Sequence, residues 1–205
     1  TANYVTKDLN YLNDASDFSA NSSGAPLLMS SQPNDGYKSV LPMKTNIYHE
    51  STPQLVSFSD GTALSVWLDS DNSDINGIVL YYSYYDEVSW SDPKPVCLDG
   101  TMDYTPQLHE INGTAYLVWQ NATKEFSTTD TLESTAAFFD ISVATFDPES
   151  GFNVFTIDNE GLDMLPVVCG DANARYVVWL HNGENDWFGN NRANNILYSV
   201  NNGGE

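Results

Sequence analysis

The feature that most constrains the fold of this chain is a string that recurs. Thr-Pro-Gln-Leu at 52–55 leads through the turn Asp60-Gly61 to Ala-Leu-Ser-Val-Trp at 63–67. Thr-Pro-Gln-Leu at 105–108 leads through Asn112-Gly113 to Ala-Tyr-Leu-Val-Trp at 115–119. A third copy runs from Leu-Pro-Val-Val at 165–168 through 171–173 to Arg-Tyr-Val-Val-Trp at 175–179. Proline and tryptophan stand 14, 13 and 13 residues apart, and successive prolines 53 and then 60. Self-similarity of this kind means that one supersecondary unit is used several times, each copy burying a face against its neighbour.

Each copy reads as a β-hairpin, two short β-branched and aromatic runs around an Asp- or Asn-containing turn. A second hairpin follows each. Residues 78–82 lead to Ser83 with Trp90 seven residues later; 138–144 lead to Thr145 with Phe152; 195–198 lead to Ser199. Residues 26–29, followed by Ser30 and Tyr37, belong to the same series. Four strands per roughly 50 residues is the unit of a β-propeller blade. The expected fold is therefore all-β, with blades of four antiparallel strands. A partial blade is expected at 1–46, blades at about 50–100 and 103–161, and a partial blade at 163–205. On this reading the ring is completed by further blades of the same polypeptide. Helix is expected only as a turn or two near 9–12 and within 124–137, and a β-sandwich with chance repetition is the alternative.

The hydroxyl-to-aromatic spacing of seven on a hairpin turn resembles the Asp box, Ser-x-Asp-x-Gly-x-x-Trp, of sialidase-like propeller repeats. Ser199-Val-Asn201-Asn-Gly203 and Thr145-Phe-Asp147, with Phe152, keep parts of it; Ser83 with Trp90 and Ser30 with Tyr37 keep only its ends. The resemblance implies that these turns fasten strands 3 and 4, and that binding groups gather on the opposite rim, at the strand 2–3 loops. It does not carry sialidase activity to this chain. Those enzymes clamp a sugar carboxylate with three arginines through bidentate guanidinium geometry, and only Arg175 and Arg192 are present.

Charge narrows the partners. Seven Lys+Arg stand against 28 Asp+Glu, a formal charge of -21, which repels nucleic-acid backbones and anionic lipid headgroups. No apolar run approaches the ~20 residues of a membrane span. An excess of Asn, Asp, Ser, Thr and Tyr with few cysteines and lysines reads as an exported bacterial protein, secreted or at the cell surface. Cys97 and Cys169 lie in apolar runs and read as two buried thiols, with a disulfide as the alternative.

Three sets of residues are candidates for chemistry. Glu50, Asp103 and Asp163 each precede the repeat proline by three, so they converge on one rim. Paired carboxylates there suit glycoside hydrolysis, which needs one protonated and one ionised group; the alternative is a frame role, accepting backbone N–H bonds. Asp69, Asp71, Ser73 and Asp74 place oxygens at the alternating spacing that Ca²⁺ favours, against a solvated acidic loop. His181, Glu184, Trp187 and Phe188 form a polar loop with two aromatics, a glycan- or protein-contact signature, against a satellite core. The first expectation is a non-catalytic propeller module that binds glycan or protein through the loops 69–76, 121–133 and 181–194. Part of a propeller glycoside hydrolase, or a calcium-stabilised adhesin segment, are the alternatives.

Overall fold

The structure, a computed structural model, describes residues 42–202 apart from 46, 50 and 71–73. Glu50, Asp71, Ser73 and residues 1–41 of the partial blade expected at 1–46 lie outside the described residues. The chain divides after Met43 into two units, Thr1–Met43 and Lys44–Glu205, and the architecture below is that of the second.

Its strands form three antiparallel sheets in sequential order. The first contains β1 (Gln54–Ser57), β2 (Ala63–Ser70), β3 (Ile78–Tyr85) and β4 (Lys94–Pro95). The second contains β5 (Asp103–Ile111), β6 (Thr114–Ala122), β7 (Phe139–Asp147) and β8 (Gly151–Ile157), and the third β9 (Leu162–Gly170), β10 (Arg175–Asn182) and β11 (Asn194–Asn201). The fold is all-β, built of propeller blades. One helical turn, α1 (Leu132–Thr135), and the 3-10 turn Ala136–Phe138 interrupt it. Thr131 caps α1 by accepting from Ser134 N, while the Ser134 side chain accepts from Thr131 N, a reciprocal box that stabilises so short a helix.

Local chemistry sets each hairpin. Asn112 and Gly113 both adopt positive φ, 52° and 83°, the conformation whose twist matches the flanking strands. Asp60 Oδ1 accepts from Thr62 N and Oγ1, and Asp171 Oδ1 from Asn173 N and Ala174 N. On the β7–β8 turn Asp147 Oδ1 accepts from Ser150 N and Oγ and from Glu149 N. On the β3–β4 turn Asp86 Oδ1 accepts from Ser89 N and Val88 N. These donors hold both carboxyls below the ordinary aspartate range. Asp86 stands three residues after Ser83, whereas Asp147 stands two after Thr145, so a search at fixed spacing finds the second acid and passes over the first.

The sheets stack face to face, and the repeat tryptophan marks the frame. Leu64, Val66 and Leu68 of β2, at positions −3, −1 and +1 from Trp67, pack with Leu117 and Trp119 of β6. Val118 of β6 in turn packs with Val177 and Trp179 of β10. One face of each sheet thus receives the tryptophan-bearing face of the next. The second sheet is covered on both sides, and Leu117, Val118, Trp119 and Ile141 are fully buried. Both cysteines are free. Cys97 is half-buried, and Cys169 is exposed rather than buried, because it falls on the outer face of the third sheet opposite Tyr176.

Candidate functional site

Within each sheet, antiparallel order brings the start of strand 1, the end of strand 2 and the start of strand 3 to one rim. Asp103 faces Asn121 across β5–β6, and Asp163 faces His181 across β9–β10. A bulge places both acids. Thr105 and Leu165 have φ of 49° and 53°, and the ladders shift register between Tyr104 and Gln107 and between Val178 and Leu180. Both residues precede the repeat proline, which cannot donate to a ladder and restricts its predecessor. A bulge re-aims nearby side chains, and here it falls opposite Trp119 and Trp179. A proline in mid-strand was the sequence signal for it.

Asp103 is fully buried, and both its oxygens are engaged: Trp119 Nε1 donates to Oδ1 at 2.6 Å and Leu80 N to Oδ2 at 2.9 Å. The second bond reaches from the second sheet to β3 of the first. Burial pushes this carboxyl up to about 7, with the Leu80 N–H opposing, nearby Asp99 adding to the rise and the Trp119 indole opposing. Asp103 is thus a strut between blades. Asp163, equally buried, accepts from His181 Nδ1 at 2.8 Å through Oδ1, while its Oδ2 makes no hydrogen bond. Burial raises its pKa, and the nearby N–H groups of His181, Asn159 and Trp179 oppose the rise. Close by, burial first, then Asp163 and Asp158, push Asp140 up to about 6. Asp140 and Asp158 were not singled out by sequence reasoning; they follow from the β7 start and the β8–β9 connection meeting at this point of the rim.

A cleft of about 900 Å³ opens at the rim of the first sheet. Its lining comes from three segments: Lys44 and Thr45; the β2 and β3 ends with Asp69, Ser70, Asp74, Asn76, Val79 and Tyr81; and the connection carrying Cys97, Asp99 and Gly100. Lys44 Nζ ion-pairs with Asp69 at 3.1 Å and lies 5.9 Å from the Tyr81 ring centroid. Asp69 Oδ1 also accepts from Ser70 N, and Asp74 Oδ1 from Asn76 N. Asn76, at the end of the loop 69–76, is buried and turned to the second sheet. Its Nδ2 donates to Phe126 O at 3.0 Å and its Oδ1 accepts from Phe126 N at 2.8 Å. Among the described residues no group of three or more His, Cys, Asp or Glu is arranged to hold a metal ion.

The loop after β10 is organised by Asn182, which is fully buried. Its Oδ1 accepts from Glu184 N and Asp186 N, and its Nδ2 donates to Asn191 and Asn194. Trp187 packs edge-on against Phe139, with ring centroids 5.0 Å apart, and its Nε1 donates to Leu132 O. With Met102, Tyr104 and Leu132 it walls an apolar slot of about 320 Å³. Phe188 is 75% exposed. Glu184 Oε2 accepts from Asn191 Nδ2. The two aromatics thus part ways, one into a satellite core and one into solvent, and His181 joins Asp163 rather than the loop.

No family model matches this sequence, and no curated protein matches it. Solved structures do. The chain is similar to the α-L-arabinanase of Penicillium chrysogenum, a structure complexed with arabinobiose, with a TM-score of 0.51 at 14% identity, over 78% of this chain and 48% of that one. An α-L-arabinofuranosidase of Fusarium graminearum, also in complex with arabinobiose, gives 0.48 at 12% identity, over 78% and 47%. The chain thus spans about half the length of these structures. At such identities the likeness is one of fold, and it agrees with the stacked antiparallel sheets, two of four strands and one of three: this chain is made of β-propeller blades.

Proposed function

We propose that this chain forms blades of an exported propeller of the glycoside-hydrolase kind, and that the cleft between Lys44 and Gly100 receives the carbohydrate. The single observation that carries the reading is the lining of that cleft. Asp69, Asp74 and Asp99 offer carboxylate acceptors, Ser70 and Thr45 hydroxyls, and Tyr81 an aromatic ring, in about 900 Å³. Carboxylates bind vicinal sugar hydroxyls with charge-assisted bonds, and an aromatic ring buries the apolar face of a sugar at low entropic cost. The fold of glycan-bound arabinanase supports the same substrate class.

Titration calorimetry with arabinobiose and longer neutral oligosaccharides tests this. Binding that Asp99→Asn weakens at least tenfold, equivalent to about 1.4 kcal/mol, is the expected result. Absence of binding to any member of a neutral glycan panel, with the protein folded, would overturn it.

A hydrolytic role has one specific observation in its favour. Asp140 and Asp163 share a buried corner in which burial raises both carboxyls and Asp163 adds to the cost of ionising Asp140, the electrostatic condition for one carboxyl to act as acid and the other as base. Asp103, with both oxygens held by the frame, is not the group this reading uses. Loss of hydrolysis in Asp140→Asn, with glycan affinity retained, is the result that reading requires.

A further inference from the structure

The position that follows the strand-2 tryptophan is Leu68 in the first sheet and Leu180 in the third, but Gln120 in the second. Leu68 and Leu180 pack into apolar clusters, so the repeat frame needs no polar group there. Gln120 is only 4% exposed, and among the described residues its side-chain amide forms no hydrogen bond. It lines the apolar slot of about 320 Å³ at the rim of the second sheet. Other polar groups of that slot are turned into the protein. Trp187 Nε1 and Thr135 Oγ1 both donate to Leu132 O, at 2.7 and 2.8 Å, and Tyr104 Oη donates to Met102 Sδ at 3.2 Å. Thr105, on the same wall, has its Oγ1 buried without a partner. Buried polar groups are almost always paired, because an unmade bond leaves their desolvation uncompensated. Here one amide and one hydroxyl border an otherwise apolar space with nothing to bond.

The walls of the slot select its occupant. Phe139 is flanked by Tyr104 at 5.9 Å and Trp187 at 5.0 Å between ring centroids, tilted and edge-on separations that a further ring can join. Met102 adds a thioether, which favours contact with aromatic rings. Among the described residues no charged side chain lines the slot, so an ion entering it would lose its hydration with nothing to offset the loss. A sugar ring would bring several hydroxyls to two unpaired polar side chains, and the surplus would be buried unbonded. The volume stands at the low end of small-molecule sites, about 300–1,000 Å³. We infer that the slot is a binding site for a neutral single-ring aromatic group with one substituent that bonds the Gln120 amide. It shares no residue with the carbohydrate cleft, and the inference is independent of that reading.

The probe is benzamide, whose ring suits the walls and whose amide can both donate to and accept from that of Gln120. Titrated into the full chain labelled with heavy nitrogen, it shifts the Gln120 side-chain amide and the Trp187 indole N–H signals to saturation. Cyclohexanecarboxamide and benzoate bind at least about tenfold more weakly, and arabinobiose leaves both signals in place. Gln120→Leu, which installs the residue of the other two sheets, weakens benzamide at least about tenfold. The same variant keeps or raises Tm, since an apolar side chain there removes an unpaired buried amide. Shifts that never saturate would overturn the inference, as would equal binding of the aliphatic or charged analogue, or movement of both signals by arabinobiose. These titrations use the unsubstituted chain and do not depend on how the variant folds. A benzamide affinity that Gln120→Leu leaves unchanged, or a Tm that it lowers by several degrees, would equally overturn it. So would a long-lived water in magnetisation contact with the Gln120 amide that benzamide does not displace, which would assign the slot to solvent.

Discussion

Removing the Asp103 carboxylate separates a frame role from a catalytic one, and the structure supplies the magnitudes. In Asp103→Ala two buried donors, Trp119 Nε1–H and Leu80 N–H, lose their acceptor. Leaving a buried donor unsatisfied costs about 1–3 kcal/mol each, so the substitution removes about 2–6 kcal/mol of bonding. Opposing this, it removes a carboxyl that burial pushes from 3.8 up to about 7. Between those values the folded chain holds a proton that the unfolded chain has released, so the group's contribution is fully present below about pH 4 and is lost as pH rises through about 7. At about 1.4 kcal/mol per pKa unit the loss amounts to roughly 4 kcal/mol across the window. The variant does not suffer it. The cost of Asp103→Ala is therefore largest below about pH 4 and shrinks as pH rises through about 7. Denaturant melts of both proteins at half-unit pH steps read the difference directly, and Asp140 and Asp163, present in both, largely cancel. A pH-independent difference would refute the reasoning. So would a variant that keeps full stability at every pH yet loses glycan binding or hydrolysis, which would make Asp103 a site residue.

Other outcomes follow from single contacts. Asn76→Ala breaks both bonds to Phe126, and amide exchange in residues 124–130 should accelerate while glycan affinity falls, the cleft wall having lost its tie to the second sheet; unchanged exchange would deny Asn76 that role. Trp187→Ala should cost about 3 kcal/mol, as a packed aromatic does, whereas Phe188→Ala should stay within about 0.5 kcal/mol; equal losses of glycan affinity in both would restore the paired-aromatic reading. Gly161 has φ of 117°, and a Cβ there would lie 2.5 Å from His181 Cε1 and 3.0 Å from Asn182 O. Gly161→Ala should therefore lower stability by more than about 2 kcal/mol, and a neutral melt would show that this connection yields readily.

The repeat itself shows that hairpins recur and where they turn, because β-branched runs and Asp or Asn turns are local signals that backbone conformation obeys. Asn112-Gly113, Asp60 and Asp171 each set their turn through atoms within three residues. The residue types at the rim were also legible, and Asp103 and Asp163 stand there at the starts of β5 and β9. Their chemistry was not. Whether a carboxylate is a strut or a reacting group depends on which donors reach it, and for Asp103 one of them, Leu80 N–H, comes from another sheet, 23 residues away in sequence. The meeting of Asp140 with Asp163, the clamp of Asn76 on Phe126 and the parting of Trp187 from Phe188 are likewise contacts between segments far apart in the chain. Cys169 sits in an apolar run like any buried thiol, and its exposure follows only from lying on the outer face of the third sheet, opposite Tyr176. Local turn chemistry is fixed by adjacent residues; burial, partner and pKa are fixed by how the sheets stack, and only the stacking places the functional rim.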